Sequence, residues 1–353
     1  MKYLLPLLLL APIAFALELT HTGGETAVFL ASSLALIPLA GLLGKATEEA
    51  AHYTGPKIGS LLNATLGNAA ELIITIMALR QGLFTVVKAS IAGSIIGNVL
   101  VVLGASLLIG GLKHGTQTFD ARSAGANATM MILAVVALSI PAVFAHPSSG
   151  TGPATDQDHI QFISDGMAVV LIVIYVLYII FSLRGGDTPA EDAAEAHPST
   201  PGMKLPVAIG LMAVSTLGVV FMSELLVGSI EPVAEAWGLS ELFIGVMLIP
   251  LVGNIAEHIV AVQMAYQNKM DLSLGIAVGS GLQIALFVTP VLIGVSILLG
   301  TPMTLVFNQY ELAALVGASL IAAIISVDGE SNWLEGAQLL GLYLMLGIAF
   351  FFA

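Results

Sequence analysis

Two short stretches, GNAAELI at 67–73 and GNIAEHI at 253–259, are near-copies of each other and decide how the chain is organised. A shift of 186 residues, from 67 to 253, superposes them. The same shift, without a gap, places Gly93-Ser94 on Gly279-Ser280. A match that keeps its register over this distance indicates an internal repeat, because chance similarity would not persist across two helices and a loop.

Long apolar runs surround both stretches. A membrane-crossing helix needs ~20 mostly apolar residues. Eleven segments are candidates: 3–19, 25–44, 57–80, 84–109, 123–146, 159–183, 204–228, 237–267, 271–298, 305–327 and 335–352. An outer-membrane barrel is excluded, because these runs are continuous rather than alternating strands of ~10 residues.

The repeat and the segments together predict the architecture. Without the first segment, each copy contains five helices, and an odd number makes the second copy enter the membrane from the opposite side. We therefore predict an all-α membrane protein of about 11 transmembrane helices, with two inverted five-helix repeats plus an N-terminal helix. The predicted parts are an N-terminal helix at 1–20, a first repeat at 21–183, an acidic cytoplasmic linker at 184–203 and a second repeat at 204–353. Inverted repeats are typical of secondary transporters.

The basic residues predict the orientation. With a cytoplasmic N-terminus, eight of the ten Lys and Arg residues fall inside, and only Arg80 and Lys88 fall outside, as the positive-inside rule requires. The first segment has an alternative interpretation, because Lys2, an apolar run and Ala14-Phe15-Ala16 also fit a cleaved signal peptide. We expect a multi-pass protein of the cell (inner) membrane, with a cytoplasmic N-terminus if the first segment is retained.

The composition excludes several classes of protein. The chain is 57% hydrophobic and 9% charged, whereas soluble domains carry about 25% charged residues. A formal charge of −13 excludes a nucleic-acid-binding protein. The lack of cysteine excludes disulfide scaffolds, zinc fingers and thiol catalysis. No G-x-x-x-x-G-K-[ST] run occurs, which argues against ATP-driven transport.

Glu71 and Glu257 occupy matched positions in the two repeats, each inside an apolar segment. A charge at mid-membrane costs at least ~2.5–3.5 kcal/mol and is a functional hypothesis by default. The alternative is a carboxylate that is protonated or paired, with His258 as the nearby basic candidate. His258 itself is either a proton relay or a partner for a carbonyl.

Further oxygen-bearing groups surround the two glutamates in the sequence. Gly67 and Gly253 weaken the helices just before them and favour exposed backbone carbonyls. Asn68 and Asn254 share the helix face of the glutamates, or else cap a broken helix. In the following helix of each block, Ser94 and Asn98 lie four apart, and Ser280 and Gln283 lie three apart.

All these groups are hard oxygen donors, which suit calcium with its 6–8 oxygen ligands better than zinc or copper. Two carboxylates balance one divalent cation, or they take up protons when the ion is absent, because facing negative charges repel. Mutually exclusive occupancy of one site is the physical basis of exchange. The predicted site comprises Glu71 and Glu257 for protons and metal, with metal contacts from Gly67, Asn68, Ser94, Asn98, Gly253, Asn254, Ser280 and Gln283.

GNAAELIITIMAL and GNIAEHIVAVQMA resemble the paired signature repeats of the calcium/proton antiporters in the cation/calcium exchanger superfamily, and SGLQIALFVTPVLI resembles the segment after the second one. The resemblance covers the chain from about residue 25 onward. It implies a five-plus-five inverted-repeat fold, with Glu71 and Glu257 as shared calcium and proton ligands. The acidic segment between the halves matches 187–197 but is short here, and it is either a solvated linker or a sensor of divalent cations.

The expected function is a secondary antiporter that exports calcium in exchange for protons, with no resident cofactor and with the lipid bilayer as surroundings. An exchanger of sodium for calcium, or of another divalent cation, is the nearest alternative, followed by a passive cation channel. An enzyme is not expected, because no H-E-x-x-H run occurs and no two aspartates lie mid-segment. An oligomer stays possible.

Overall fold

The computed structural model describes residues 4–55, 59, 61–62, 65–145, 157–183 and 202–353. These parts are almost entirely helical. The helices of the first half are α1 (Leu10–Thr20, after a 3-10 turn at Leu5–Leu9), α2 (Gly24–Ala51), α3 (Ala69–Arg80), α4 (Phe84–His114), α5 (Ala121–Ala145) and α6 (Gln157–Leu183).

The second half follows a similar order of helices. They are α7 (Leu205–Gly228), α8 (Ile230–Trp237), α9 (Glu241–Gly253), α10 (Ile255–Tyr266), α11 (Met270–Leu298), α12 (Gln309–Ile325) and α13 (Trp333–Phe351). A short antiparallel pair joins β1 (Gln117–Thr118) to β2 (Glu330–Ser331).

The described residues contain seven helices that are long and apolar enough to cross a membrane, or eight if α8 and α9, bent by 116°, form one span. The segment Leu5–Thr20 and helix α12 are apolar but shorter. The predicted segment 57–80 lies partly outside the described residues, and α3 forms its second part. The predicted linker falls at 184–203, of which 184–201 lie outside the described residues.

The predicted segment 237–267 is broken in the structure just after Gly253, where the sequence predicts a weakened helix. The structure begins a helix at Glu241, ends it at Gly253 and starts α10 at Ile255. Asn254 between them has φ −95° and ψ 3°, which is not helical. The break follows Pro250, whose ring removes a backbone donor, and Gly253, whose helix propensity is low.

Three helices carry a turn of π-helix within the described residues, at Gly97–Val102 in α4, Ile244–Leu248 in α9 and Ile284–Val288 in α11. A π turn inserts one extra residue into the helical ladder and is frequent at functional sites. In α11 the Thr289 hydroxyl donates to the Ile284 carbonyl at 2.8 Å and so stabilises the widened turn.

The chain forms two compact units, each drawing on both halves of the sequence. The first comprises Met1–Ser90, Ala193–Ile259 and Phe351–Ala353. Within it α2 and α7 pack along their length, and Gly218 of α7 allows this because a Cβ there would lie 2.7 Å from the Leu39 side chain. Gly245 lies so close to Ala89 that a side chain would overlap it.

The second unit comprises Ile91–Asp192 and Val260–Phe350. Here α4 and α13 touch through their backbones. A Cβ on Gly111 would overlap the backbone of Trp333, one on Gly336 would overlap Leu108, and one on Gly104 would lie 3.0 Å from Leu339. These glycines form what we call the α4–α13 seam, which fixes the second unit around the buried middle of α4.

Candidate functional site

Glu71 lies in the first turn of α3, just after a break in the backbone. Asn68 before the helix has φ −93° and ψ 25°, and its side chain makes no capping hydrogen bond to α3. Glu71 is only 7% exposed. The Thr75 hydroxyl donates to the Glu71 carbonyl at 2.7 Å, which holds this turn in place. The sequence therefore puts a carboxylate at a buried helix start, where the helix dipole favours negative charge.

Glu257 repeats this arrangement in the first turn of α10. The preceding Asn254 has nearly the same dihedral angles as Asn68, and it is 1% exposed. Its Nδ2 donates to the Pro250 carbonyl at 3.0 Å, across the broken ladder. This bond uses the amide nitrogen, whereas capping of α10, the alternative role, would use the side-chain oxygen. Glu257 and His258 are both half-buried.

The first unit brings the two breaks together. A Cβ built on Gly253 would lie 3.4 Å from Glu71 Oε1, so the end of α9 lies against this carboxyl group. Glu257 lies within electrostatic range of Glu71. Among the described residues, Glu71 Oε2 accepts no hydrogen bond. A buried carboxyl oxygen without a donor is chemically suited to a cation or a proton.

The second unit holds the predicted polar residues of α4 and α11. Asn98 Nδ2 donates to Ser280 Oγ at 3.0 Å, and this bond joins α4 to α11. Asn98 is fully buried, while Ser94 and Ser280 are 3% and 6% exposed. Asn98 Oδ1 has no hydrogen-bond partner in the described part of the chain. Gln283 is half-buried one turn beyond Ser280.

Sequence reasoning missed the π turns, although two of them begin next to predicted residues. The turn in α4 begins at Gly97, beside Asn98, and the turn in α11 begins directly after Gln283. Composition gives no clear sign of a π turn. The two turns lie at nearly matched positions of the repeat, because the 186-residue shift places Gly97 on Gln283.

Two further acids each hold a helix start with one carboxyl oxygen. Glu311 is 2% exposed, and its Oε2 accepts from the Asn308 backbone amide at 2.6 Å in a capping box at the start of α12. Asp120 Oδ1 accepts from the Ser123 amide at 2.6 Å before α5. Both bonds anchor helix starts.

Within the described residues, no three His, Asp or Glu side chains converge as a metal site. A cation bound by the two glutamates would thus depend on neutral oxygens for the rest of its shell. Amide, hydroxyl and carbonyl oxygens are ligands that calcium accepts, since it takes 6–8 oxygens in flexible geometry.

Comparison with known proteins identifies the family to which this chain belongs. The profile of the family described as sodium/calcium exchanger protein matches residues 24–184 and 207–352, most of the chain. The chain belongs to this family. It is 47% identical to a protein of Aphanothece halophytica named Ca(2+)/H(+) antiporter, over 98% of this chain and 95% of that protein.

Two solved structures show the fold of this family member. The crystal structure of the Ca2+/H+ antiporter protein YfkE superposes with a TM-score of 0.84, at 40% identity, over the full length of both chains. The H+/Ca2+ exchanger CAX superposes with a TM-score of 0.76 over 99% of this chain and 92% of its own. At 17% identity this second likeness shows the fold alone, an all-helical membrane transporter.

Proposed function

We propose that the chain is an antiporter that moves calcium out of the cytoplasm in exchange for protons, by alternating access at a site around Glu71 and Glu257. The observation that carries this is the pair of broken helices in the first unit, with Glu71 buried against Gly253 and within range of Glu257. The names of the relatives at 47% and 40% identity support the choice of ions.

The chemistry follows from charge and burial. An ionised carboxylate at membrane depth costs at least ~2.5–3.5 kcal/mol, so two of them need compensation. One calcium ion supplies two positive charges, and two protons remove the two negative charges. Both loaded states are therefore neutral overall, and a state with neither is disfavoured by repulsion. This prevents the empty carrier from returning and couples the two ions.

The remaining ligands are assigned by position. Asn68, Asn254, Gly67 and Gly253 would contribute oxygens at the breaks. Within the second unit, Ser94, Asn98, Ser280 and Gln283 remain proposed metal contacts, and Asn98 Oδ1 accepts no hydrogen bond from a described residue.

The finer architecture belongs to the same proposal. We assign about 11 transmembrane helices, in two inverted repeats at 21–183 and 204–353 after an N-terminal helix at 1–20. The linker at 184–203 then lies in the cytoplasm, and the protein resides in the cell (inner) membrane. The breaks at Asn68 and Asn254, with matching dihedral angles, support the repeat.

The decisive experiment is calcium-45 uptake into proteoliposomes, with and without an imposed pH gradient. Glu71→Gln and Glu257→Gln should each reduce uptake to background, because neutral glutamine neither balances the cation nor carries the proton. Glu235→Gln, an exposed acid in α8 of the same unit, is the matched control and should transport normally. Uptake that ignores the pH gradient but follows a sodium gradient would replace the proton assignment with sodium.

A further inference from the structure

A cleft in the second unit lies between the N-terminal ends of α5 and α11. It is a small cleft, open to solvent on one side, with room for about one water-sized occupant. Asp120, just before α5, and Asp271, in the first turn of α11, both line it. Asp120 is exposed, Asp271 is half-buried and Asn127 is 6% exposed. The two acids therefore lie nearer the opening of the cleft, and the amide of Asn127 lies deeper.

The two carboxylates are held in place by backbone amides. Asp271 Oδ1 accepts from the Asp120 amide at 2.7 Å, and Asp120 Oδ1 accepts from the Ser123 amide. Each bond uses one oxygen of a carboxylate. No ion pair involves either aspartate within the described residues, although Arg122 and Lys269 are neighbours in sequence. Backbone amides at helix starts therefore balance these charges only in part.

The floor of the cleft is formed by a buried amide. The Asn127 side chain lines the cavity, and no hydrogen bond joins it to another described residue. An amide oxygen that opens on a cleft is available to accept a bond from water or to contact a cation that replaces the water. The Asn127 oxygen and the aspartate oxygens together form a small set of hard ligands.

The floor also lies near two predicted metal-contact residues, Asn98 and Ser280. Met131 lies one turn deeper on the same face of α5 and is fully buried. Its Cε is 2.9 Å from where a Cβ on Gly281 would lie, and that position is 3.9 Å from the Asn98 Cβ. Met131 thus separates the cleft from the Asn98–Ser280 pair. A methionine side chain is unbranched and flexible, so it can move aside.

We propose that this cleft is a weak recruiting site for divalent cations, which collects calcium at one face before it moves past Met131. The inference rests on the proposed function, because the cations recruited are those transported. Carboxylates in a cleft with low-dielectric walls focus the electric field and raise the local cation concentration and association rate by about 10–10³-fold. Two carboxylates and one amide are too few for tight binding, so the ion is released again.

The test removes both charges and keeps both hydrogen bonds. In the double variant Asp120→Asn/Asp271→Asn, the amide oxygens still accept from the backbone. With calcium on the face of Lys113 and Arg122, which the proposed orientation places in the cytoplasm, the half-saturating concentration should rise roughly tenfold. The rate at saturating calcium should be retained, and the difference should shrink at high salt. Glu330→Gln, an exposed acid in β2, is the control and should behave as wild type.

If the wild type exchanges calcium and the double variant has the same half-saturating calcium concentration, the recruiting site is overturned and the antiporter proposal stays intact. A wild type without proton-coupled uptake would instead overturn the antiporter.

A second measurement does not depend on transport. Equilibrium binding of calcium-45 to the Glu71→Gln/Glu257→Gln chain in detergent should show a weak site, roughly millimolar. Adding the two aspartate substitutions should remove it. Failure to detect this weak site would contradict the proposal.

Discussion

Gly253→Ala is the substitution that most sharply separates transport from folding. The added methyl carbon would lie 3.4 Å from both Oε1 and Cγ of Glu71 and 3.7 Å from Cδ. Ordinary contacts between such atoms lie at about 3.5–4.0 Å, so a shift of a few tenths of an ångström accommodates it. The backbone of Gly253 is helical, where alanine is favoured over glycine by about 1 kcal/mol. We therefore expect thermal stability to be equal to wild type or slightly higher.

Transport should respond in the opposite direction. Calcium binds oxygen at about 2.3–2.6 Å, and the methyl group would occupy the side of Glu71 from which a water or carbonyl completes the shell. Losing one bond to a charged group costs about 1.5–3 kcal/mol. At about 1.4 kcal/mol per factor of ten, the half-saturating calcium concentration should rise roughly tenfold to hundredfold.

The assay is initial calcium-45 uptake against calcium concentration, with thermal unfolding in detergent measured on the same preparation. Gly210→Ala in α7 is the matched control, because nothing lies within 4 Å of its added methyl group. If Gly253→Ala folds normally and its half-saturating calcium concentration equals that of the wild type, the idea that this side of Glu71 faces the ion is refuted.

Three further outcomes are expected. Lowering the pH on the calcium side should raise half-saturating calcium by roughly tenfold per pH unit for each proton displaced, and a flat profile between pH 6 and 8, measured by uptake, would exclude shared carboxylates. Replacing 187–197 with a Gly/Ser linker should leave calcium uptake and its calcium dependence unchanged, and a shifted calcium dependence would instead indicate a sensor. Gly245→Leu should lower the free energy of unfolding by roughly 1–3 kcal/mol through overlap with Ala89, and an unchanged melting temperature would contradict that packing.

Some of this structure could be read from the sequence, because its causes are local. Long apolar runs have few alternatives to membrane helices, and Leu205–Gly228 begins and ends within one residue of the predicted 204–228. The break at Asn254 follows a proline and a glycine, each with a known effect on a helix. The placement of Glu71 and Glu257 at helix starts follows from those breaks.

Other features depend on tertiary packing and have no local cause. Asn98 bonds to Ser280 across 182 positions of the chain, and only the arrangement of two helices brings them together. The cleft at Asp120 and Asp271 likewise needs two helix ends from different halves of the sequence. Each π turn inserts one extra residue into a helix, and the composition of the sequence does not show where this happens.

The α4–α13 seam limits which parts of the molecule can move during a transport cycle. At Gly111 and Gly336 the backbones of α4 and α13 are in contact. If one helix slid along the other by even one residue, a side chain would overlap the main chain of its neighbour. The same glycines that permit this contact therefore keep α4 and α13 in a fixed relative position. Any rearrangement that exposes the ions alternately to the two compartments must leave the α4–α13 seam intact and move other parts of the protein.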